Sequence, residues 1–445
     1  MFTKNRSRVP QFGSLKRLWR PQGNRCGGIA LWLISAVGVV WGAPVRADTV
    51  SLSAVMEQTL LHHPQLQLFP HQQRIAEAQA LQAGIRPNPN LSLSVENVLG
   101  SGEASGFSGA ETTLAISQLI ELGGKRQRRI ELADAQQREM QQSYEQQRVE
   151  VLAEATRRYY RLLHVQTLLD WSERRMALEQ DALQRIQARS RAGAVQQADV
   201  SGMALQLAES QLQHRQLQRQ AELARYRLAA MWAAEPRFER AQGKLRQPET
   251  VPALAAVLDA ANQAPQHLLL LEQGYAAAAQ SRLAEANGQW DLNLGVGVKR
   301  DEASNDTGLV FSLDVPLQLS HPNQGNLLAA RMAEQQLAQQ QQLLRGELRV
   351  QLMAVYQSLQ AQTDKVTALD HTLLPLAQQW LQQVQKAYQT GQQNVQSLLA
   401  AQSRQFELER QRIDALHAIW LQLLELERLT GQALAPSSSS LETES

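Results

Sequence analysis

Along most of this chain apolar residues recur every three or four positions, but in four short stretches they alternate with polar ones. Leu91, Leu93 and Val95 alternate with Ser92, Ser94 and Glu96, which predicts a strand over about 89–98. Leu114, Ile116, Gln118 and Ile120 share one face and Ala115, Ser117 and Leu119 the other, a second strand over about 111–121. The glycine- and serine-rich Gly100–Gly109 joins the two as a hairpin loop. Leu292, Leu294 and Val296, and then Leu309–Leu317, repeat the pattern as strands over about 290–299 and 307–317, with Arg300–Asp306 between them.

The remaining periodicity is helical. Thr49–His63 presents Leu52, Val55, Met56, Thr59 and Leu60 until His63-Pro64 interrupts it, and a second run ends at Pro87-Asn88-Pro89. After Gly123-Gly124 no proline occurs until Pro236. One helix is expected from Gly123 to about Gln187 and another from about Val195 to Trp232, a hairpin over about 123–232. Gly325–Tyr388 and Asn394–Thr430 are the counterparts, over about 325–430. Sixty-odd residues rise about 90–100 Å, more than a globular helix needs. A coiled-coil seam sustains such length. In the last helix Val395, Leu399, Phe406, Ile413, Leu416, Trp420 and Leu423 keep three- and four-residue steps, with Gln402 and Glu409 at intervening seam positions.

The order of elements occurs twice. Ala277 and Ala279 match Ala76 and Ala78, and Leu292, Leu294 and Val296 match Leu91, Leu93 and Val95, all at an offset of 201. Residues 48–250 and 251–431 therefore read as an internal duplication, each unit helix–strand–loop–strand–helix–turn–helix. Pro236–Pro252 reads as a polar connector and 432–445 as a tail without structure. The fold class is mainly α with a small β part: long coiled-coil hairpins and four strands per chain.

Charge changes the picture once the N-terminus is set aside. Residues 1–26 carry seven basic residues and no acid, Gly27–Trp41 is apolar, and Val45-Arg46-Ala47 has the small residues of a cleavage site. Residues 1–47 are expected to be a secretory signal peptide. The rival, an uncleaved anchor, has an apolar run shorter than the ~20 residues a spanning helix needs. The whole chain is formally +2, but without the leader 36 basic residues face 42 acidic ones. A net-acidic secreted chain is a poor nucleic-acid partner, and none is expected. The one cysteine, Cys26, precedes the apolar run, so no disulfide, thiol site or acyl anchor is expected after cleavage.

No apolar run beyond the leader is long enough for a spanning helix, whereas the four strands have the length and alternation of barrel strands. Four strands cannot close a barrel, and open edges are excluded from lipid, so several chains would have to share one. Two soluble hairpins packed on the helices fit the same pattern. Beyond the pattern, QLIELGGKRQRR (Gln118–Arg129) resembles the strand-to-helix signature of the outer-membrane factor family, the TolC-like channels, and of its heavy-metal-efflux branch of the CzcC and CusC type. VPLQLSHPNQG (Val315–Gly325) resembles that branch's second joint, with Pro322 where an arginine is usual, and LAAMW (Leu228–Trp232) also fits.

The resemblance covers essentially the whole mature chain. It implies a homotrimer sharing a twelve-stranded barrel in outer-membrane lipid, continued by a helical tunnel that docks on a periplasmic adaptor and an inner-membrane RND-type pump. Gly123, Gly124, Lys125 and Arg126, and then Asn323, Gln324 and Gly325, would be the barrel–tunnel joints, with Lys125, Arg126, Arg128 and Arg129 placed for a lipid-headgroup or interfacial contact. The turns ARSRAGAVQQADV (Ala188–Val200) and KAYQTGQQNVQSL (Lys386–Leu398) align at an offset of 198. By resemblance they are tips meeting the adaptor through Arg189, Gly193, Val195, Asp199, Tyr388, Gly391, Asn394 and Val395. The family's acidic pore ring falls here on Ser397 and Ala400 and its basic partner on Gln393, leaving Asp199 as a single carboxylate or a plain helix-start aspartate. The glutamine-rich Glu334–Gln342 reads as a solvated coiled-coil face, with a channel lining as the alternative.

No catalytic or metal constellation is legible. His62-His63 point to different helix faces, Gly123-Gly124-Lys125 lacks the rest of a phosphate loop, and His321 reads as a surface residue. An enzyme, a metal site and a cofactor are not expected.

Overall fold

The computed structural model describes residues 49–102, 105–317 and 323–432. The expected signal peptide, Pro322 and His321 of the second joint, and nearly all of the tail lie outside them. A short strand β1 (Thr49–Val50) precedes α1 (Leu52–His62), whose start is capped by the Ser51 hydroxyl accepting from the Ala54 N–H at 3.2 Å. Next come α2 (Phe69–Ala83), β2 (Asn90–Glu96), β3 (Glu111–Ile120), α3 (Lys125–Arg191) and α4 (Gln197–Ala229). β4 (Arg240–Ala241) lies in the connector, followed by α5 (Leu254–Ala260), α6 (Pro265–Asn287), β5 (Leu292–Asp301) and β6 (Asp306–Asp314). The chain ends in α7 (Gln324–Ala368), α8 (Leu374–Gln389) and α9 (Val395–Thr430).

The two hairpins form one antiparallel sheet in the order β2-β3-β5-β6, joined through β3 and β5. Because side chains alternate across a strand, the register sets whole rows on one face. Leu91, Ile116, Val296 and Phe311 make one row and Leu93, Leu114, Val298 and Leu309 the next. All eight are exposed, from 44% at Val296 to 78% at Phe311. The opposite face carries Ser92, Ala115, Gly297 and Val310, and Ser94, Thr113, Lys299 and Gly308. β6 stops short of the expected 317, since Pro316 has no ladder donor to give.

α3, 67 residues long, rises about 100 Å. It packs on α4 along one flank and α9 along the other; α9 in turn packs on α7 and α8, and α6 lies against α3 and α7. The layer therefore has two free edges, α4 and α7–α8. The largest core cluster sits where α1, α3, α5, α7, α9 and the connector meet, with Val55, Leu162, Leu228, Val257, Leu352, Leu359, Ile419 and Leu426 fully buried. The connector is not merely polar: Phe238, Ala241 and Leu245 are buried, and β4 pairs in parallel with β1. Tyr159 OH donates to Gln242 O, and Trp420 Nε1 donates to Arg246 O at 2.8 Å, which fasten it to α3 and α9.

The helix expected as one piece from Gly325 to Tyr388 is interrupted. Leu369–Leu373 form a π turn, and Pro375 follows at the second position of α8. A proline inside an α-helix lacks the N–H and clashes with the carbonyl four residues back, here in the wider turn, which relieves both. The buried stripe of α9 is also wider than a two-position seam: Leu398, Ala401, Leu408, Ala415, Ile419 and Leu426 join it.

Candidate functional site

Three regions carry the residues singled out by the sequence: the exposed sheet, the joints beneath it, and the far turns of the helices. At the first joint β3 ends and the backbone turns through two left-handed residues, Gly123 (φ 69°) and Gly124 (φ 70°), into α3. Gly123 is fixed a second way, because a Cβ there would lie 2.7 Å from Gln289 Cγ.

The basic run that follows is engaged by partners in the same chain. Lys125 is buried and its Nζ lies 2.7 Å from Asp291 Oδ1, which also accepts the Leu122 N–H at 3.1 Å. Arg126 Nε donates to Gly84 O at 2.6 Å, capping the end of α2. Arg129 pairs with both Glu121 oxygens and reaches Ala83 O at 3.3 Å, and its guanidinium holds the Glu121 carboxyl below its ordinary value. Lys125 and Arg129, expected at a lipid contact, are thus engaged within the chain, while Arg126 bonds a backbone carbonyl and stays exposed. Arg128, the fourth basic residue, pairs with Glu131 along its own helix at 2.8 Å.

Asp291, one residue before β5, is the partner sequence reading missed. Its place just ahead of the second half's first strand was the available signal.

The second joint is built differently. Asn323 precedes α7, donates through Nδ2 to Ala284 O, and accepts from Asn326 Nδ2 at 2.8 Å. Gln324 and Gly325 already lie in the first helical turn, and Gly325 has neither a positive φ nor a close neighbour. Gly325 therefore stands at the joint by position, without a glycine-specific conformation.

The far turns share one geometry. Gly193 (φ 72°) and Gly391 (φ 77°) each follow a helix end closed by a six-residue hydrogen bond, Ala194 N–H to Arg189 O at 2.9 Å and Gln392 N–H to Ala387 O at 2.8 Å. They meet in one cluster, where Ile186, Val200, Met203 and Val395 are buried and Val195, Tyr388 and Leu399 pack against them. Arg189 sits over the Tyr388 ring, 4.6 Å from its centroid, which ties the first turn to the second. Asn394 caps α9 by accepting from Ser397 N–H at 2.9 Å, and the Ser397 hydroxyl donates to the same oxygen. Asp199 is half-buried in the first turn of α4, where the helix dipole favours an acid. Gln393 and Ala400 are exposed.

Among the described residues no helix is long and apolar enough to cross a membrane, and no group of side chains could hold a metal ion.

These features have counterparts in known proteins. Residues 55–234 match the family model described as outer membrane efflux protein. Over that stretch the chain resembles the outer membrane efflux protein family. Over 361 residues it is 26% identical to the cobalt-zinc-cadmium resistance protein CzcC of Cupriavidus metallidurans, covering 80% of this chain and 84% of that one. Over 129 residues it is 33% identical to the nickel-cobalt-cadmium resistance protein NccC of Alcaligenes xylosoxydans xylosoxydans, 29% of this chain and 28% of that one. Among solved structures it superposes on CusC, described for its folding and transmembrane channel formation, with a TM-score of 0.71 at 16% identity over 88% of this chain and 95% of that one. The fold is that of the solved outer-membrane channel proteins it superposes on.

Proposed function

We propose that the protein is the outer-membrane exit duct of a tripartite efflux system, passing heavy-metal cations received from a periplasmic adaptor and an inner-membrane RND-type pump. The observation that carries this reading is the sheet: an apolar face left exposed over four strands of 7 to 10 residues, with β2 and β6 unpaired at its edges. Such strands span about 23–33 Å, the scale of a bilayer core, where every backbone group must be paired. Twelve strands from three copies satisfy that demand, and the helical layer needs the same neighbour. Its free edges carry Leu205, Leu212 and Tyr226 on α4, and Leu343, Val350, Leu376 and Trp380 on α7 and α8, all exposed in one chain.

At the far end, Gly193, Val195, Gly391, Asn394 and Val395, with Arg189 and Tyr388 between the turns, form the surface offered to the adaptor. Asp199 supplies one carboxylate per protomer at the pore entrance. Ser397, whose hydroxyl is already bonded to Asn394, and the neutral Gln393 and Ala400 complete that rim. The metal cargo rests on the likeness to CzcC and NccC. A duct need not bind what it passes.

Fractionation and gene deletion test the reading in two steps. The protein is expected in outer-membrane fractions as a heat-sensitive trimer on a gel, and a soluble monomer would refute the duct. Deletion should sensitise cells to cobalt, zinc or cadmium, and sensitivity confined to organic dyes would refute the metal assignment.

A further inference from the structure

On the face of the helical layer away from the connector, α3, α4 and α9 line a cavity of about 490 Å³. Tyr159 and Gln166, which hold the connector, lie about half a turn round α3 from Arg157 and Arg161, which places the cavity on the opposite side. Its walls carry Arg157, Arg158 and Arg161 from α3 and Arg227 from α4, and Glu154 is the acid among them. Glu154 is taken up by Arg157 at 2.6 Å and Arg158 at 2.8 Å. Arg161 Nη1 donates to His164 Nδ1 at 3.2 Å, and Arg227 has no ion-pair partner among the described residues. His417, 8% exposed, also lines the cavity, and its Nε2 has no hydrogen-bond partner. Leu223 and Leu421 add an apolar wall.

Guanidinium without a carboxylate partner beside an apolar surface and an unpaired, buried imidazole nitrogen is a combination that an amphiphilic anion satisfies at both ends. We propose that this cavity binds a small organic anion, a carboxylate on a compact apolar body, with its head between Arg161 and Arg227 and its body on Leu223 and Leu421. The site does not depend on the cargo or on the trimer, so it stands or falls separately from the duct.

The test is a fluorine NMR titration of the whole detergent-solubilised protein with para-trifluoromethylbenzoate, and with the matching benzyl alcohol as the neutral control. Saturable binding of the carboxylate is expected, weaker by about tenfold in Arg227→Gln and again in Arg161→Gln, since each guanidinium contributes one charge-assisted contact. Arg227 makes no side-chain pair, so its substitution leaves the fold intact, which the melting temperature checks. Arg185→Gln, which removes an exposed charge paired with Asp181 nearer the tip, should change nothing. Absence of saturation by about 10 mM, equal binding of the alcohol, or undiminished binding by Arg227→Gln would each overturn the proposal.

Discussion

Asp291 fastens the first joint to the second half of the chain, and replacing it by alanine should loosen that joint by an amount the geometry sets. Its Oδ1 accepts from the Leu122 N–H at 3.1 Å and from Lys125 Nζ at 2.7 Å, with the two side chains 26% and 10% exposed. Asp291→Ala leaves an almost buried ammonium without its counter-ion and an N–H without an acceptor. Breaking a buried pair costs about 3–5 kcal/mol, and the partial exposure of Asp291 argues for the lower end, about 3 kcal/mol with the lost N–H bond included. Lys125→Met removes the charge and keeps the stem, and the freed carboxylate can turn to water, so about 1 kcal/mol is expected. The double variant should recover about 2 kcal/mol of the sum, because the unpaired ammonium is gone. Hydrogen exchange in peptides covering 119–127 reads the opening free energy locally, without requiring the whole protein to unfold in two states. Equal exchange in Asp291→Ala and in the double variant would show that the buried lysine is not the liability, and wild-type exchange in Asp291→Ala would remove Asp291 from the joint altogether.

Two further outcomes follow from single sites. His417 is pushed down to about 3 from its ordinary 6.5 by burial, by His164 stacked on it and by Arg161, with Asp414 opposing. The unfolded chain therefore takes the proton first, so this stability is complete above about pH 6.5 and falls as the pH drops toward 3. A loss of about 2 kcal/mol between about pH 7 and pH 5 is expected in urea unfolding, and a slope unchanged in His417→Phe would count against it. The two joints should also answer differently to alanine. Gly124→Ala, at φ 70° with open space around it, should cost about 1 kcal/mol, whereas Gly325→Ala, inside α7, should be neutral or stabilising by up to about 1 kcal/mol; equal costs in thermal melts would contradict the difference between the joints.

What the sequence displayed well was local. The strands are visible because alternation survives in each, and the turns at Gly193 and Gly391 because a positive φ selects glycine within a few residues. What it hid was long-range. Nothing near Lys125 announces Asp291, 166 positions away, so a lysine that is buried against an acid read as one more basic residue of an exposed run. Phe238, Ala241 and Leu245 are too few and too spaced to show a period, yet they fill the gap between α3 and the rest of the core. Gly325 matches Gly123-Gly124 in residue type and place in the repeat, but its backbone is helical, which residue type alone does not reveal. The stacked His164 and His417, 253 positions apart in the chain, left no pattern at all, since a charged cavity built from three helices has none.

The duplication carries one consequence for how copies would meet. Inside one chain, the second strand of the first half (β3) pairs with the first strand of the second half (β5), and the first long helix of the first half (α3) packs on the last helix of the second (α9). Exchanging the halves turns the first contact into β6 with β2, and the second into α7–α8 with α4. Those four are the elements left at the free edges. They lie at opposite edges of the same sheet and layer, so if copies assemble by repeating the contacts between the halves, β6 of one would meet β2 of the next and α7–α8 of one would meet α4 of the next. On the trimer reading, each interface between copies then repeats the geometry already present between the halves, and one rotation closes the sheet and the helical layer together.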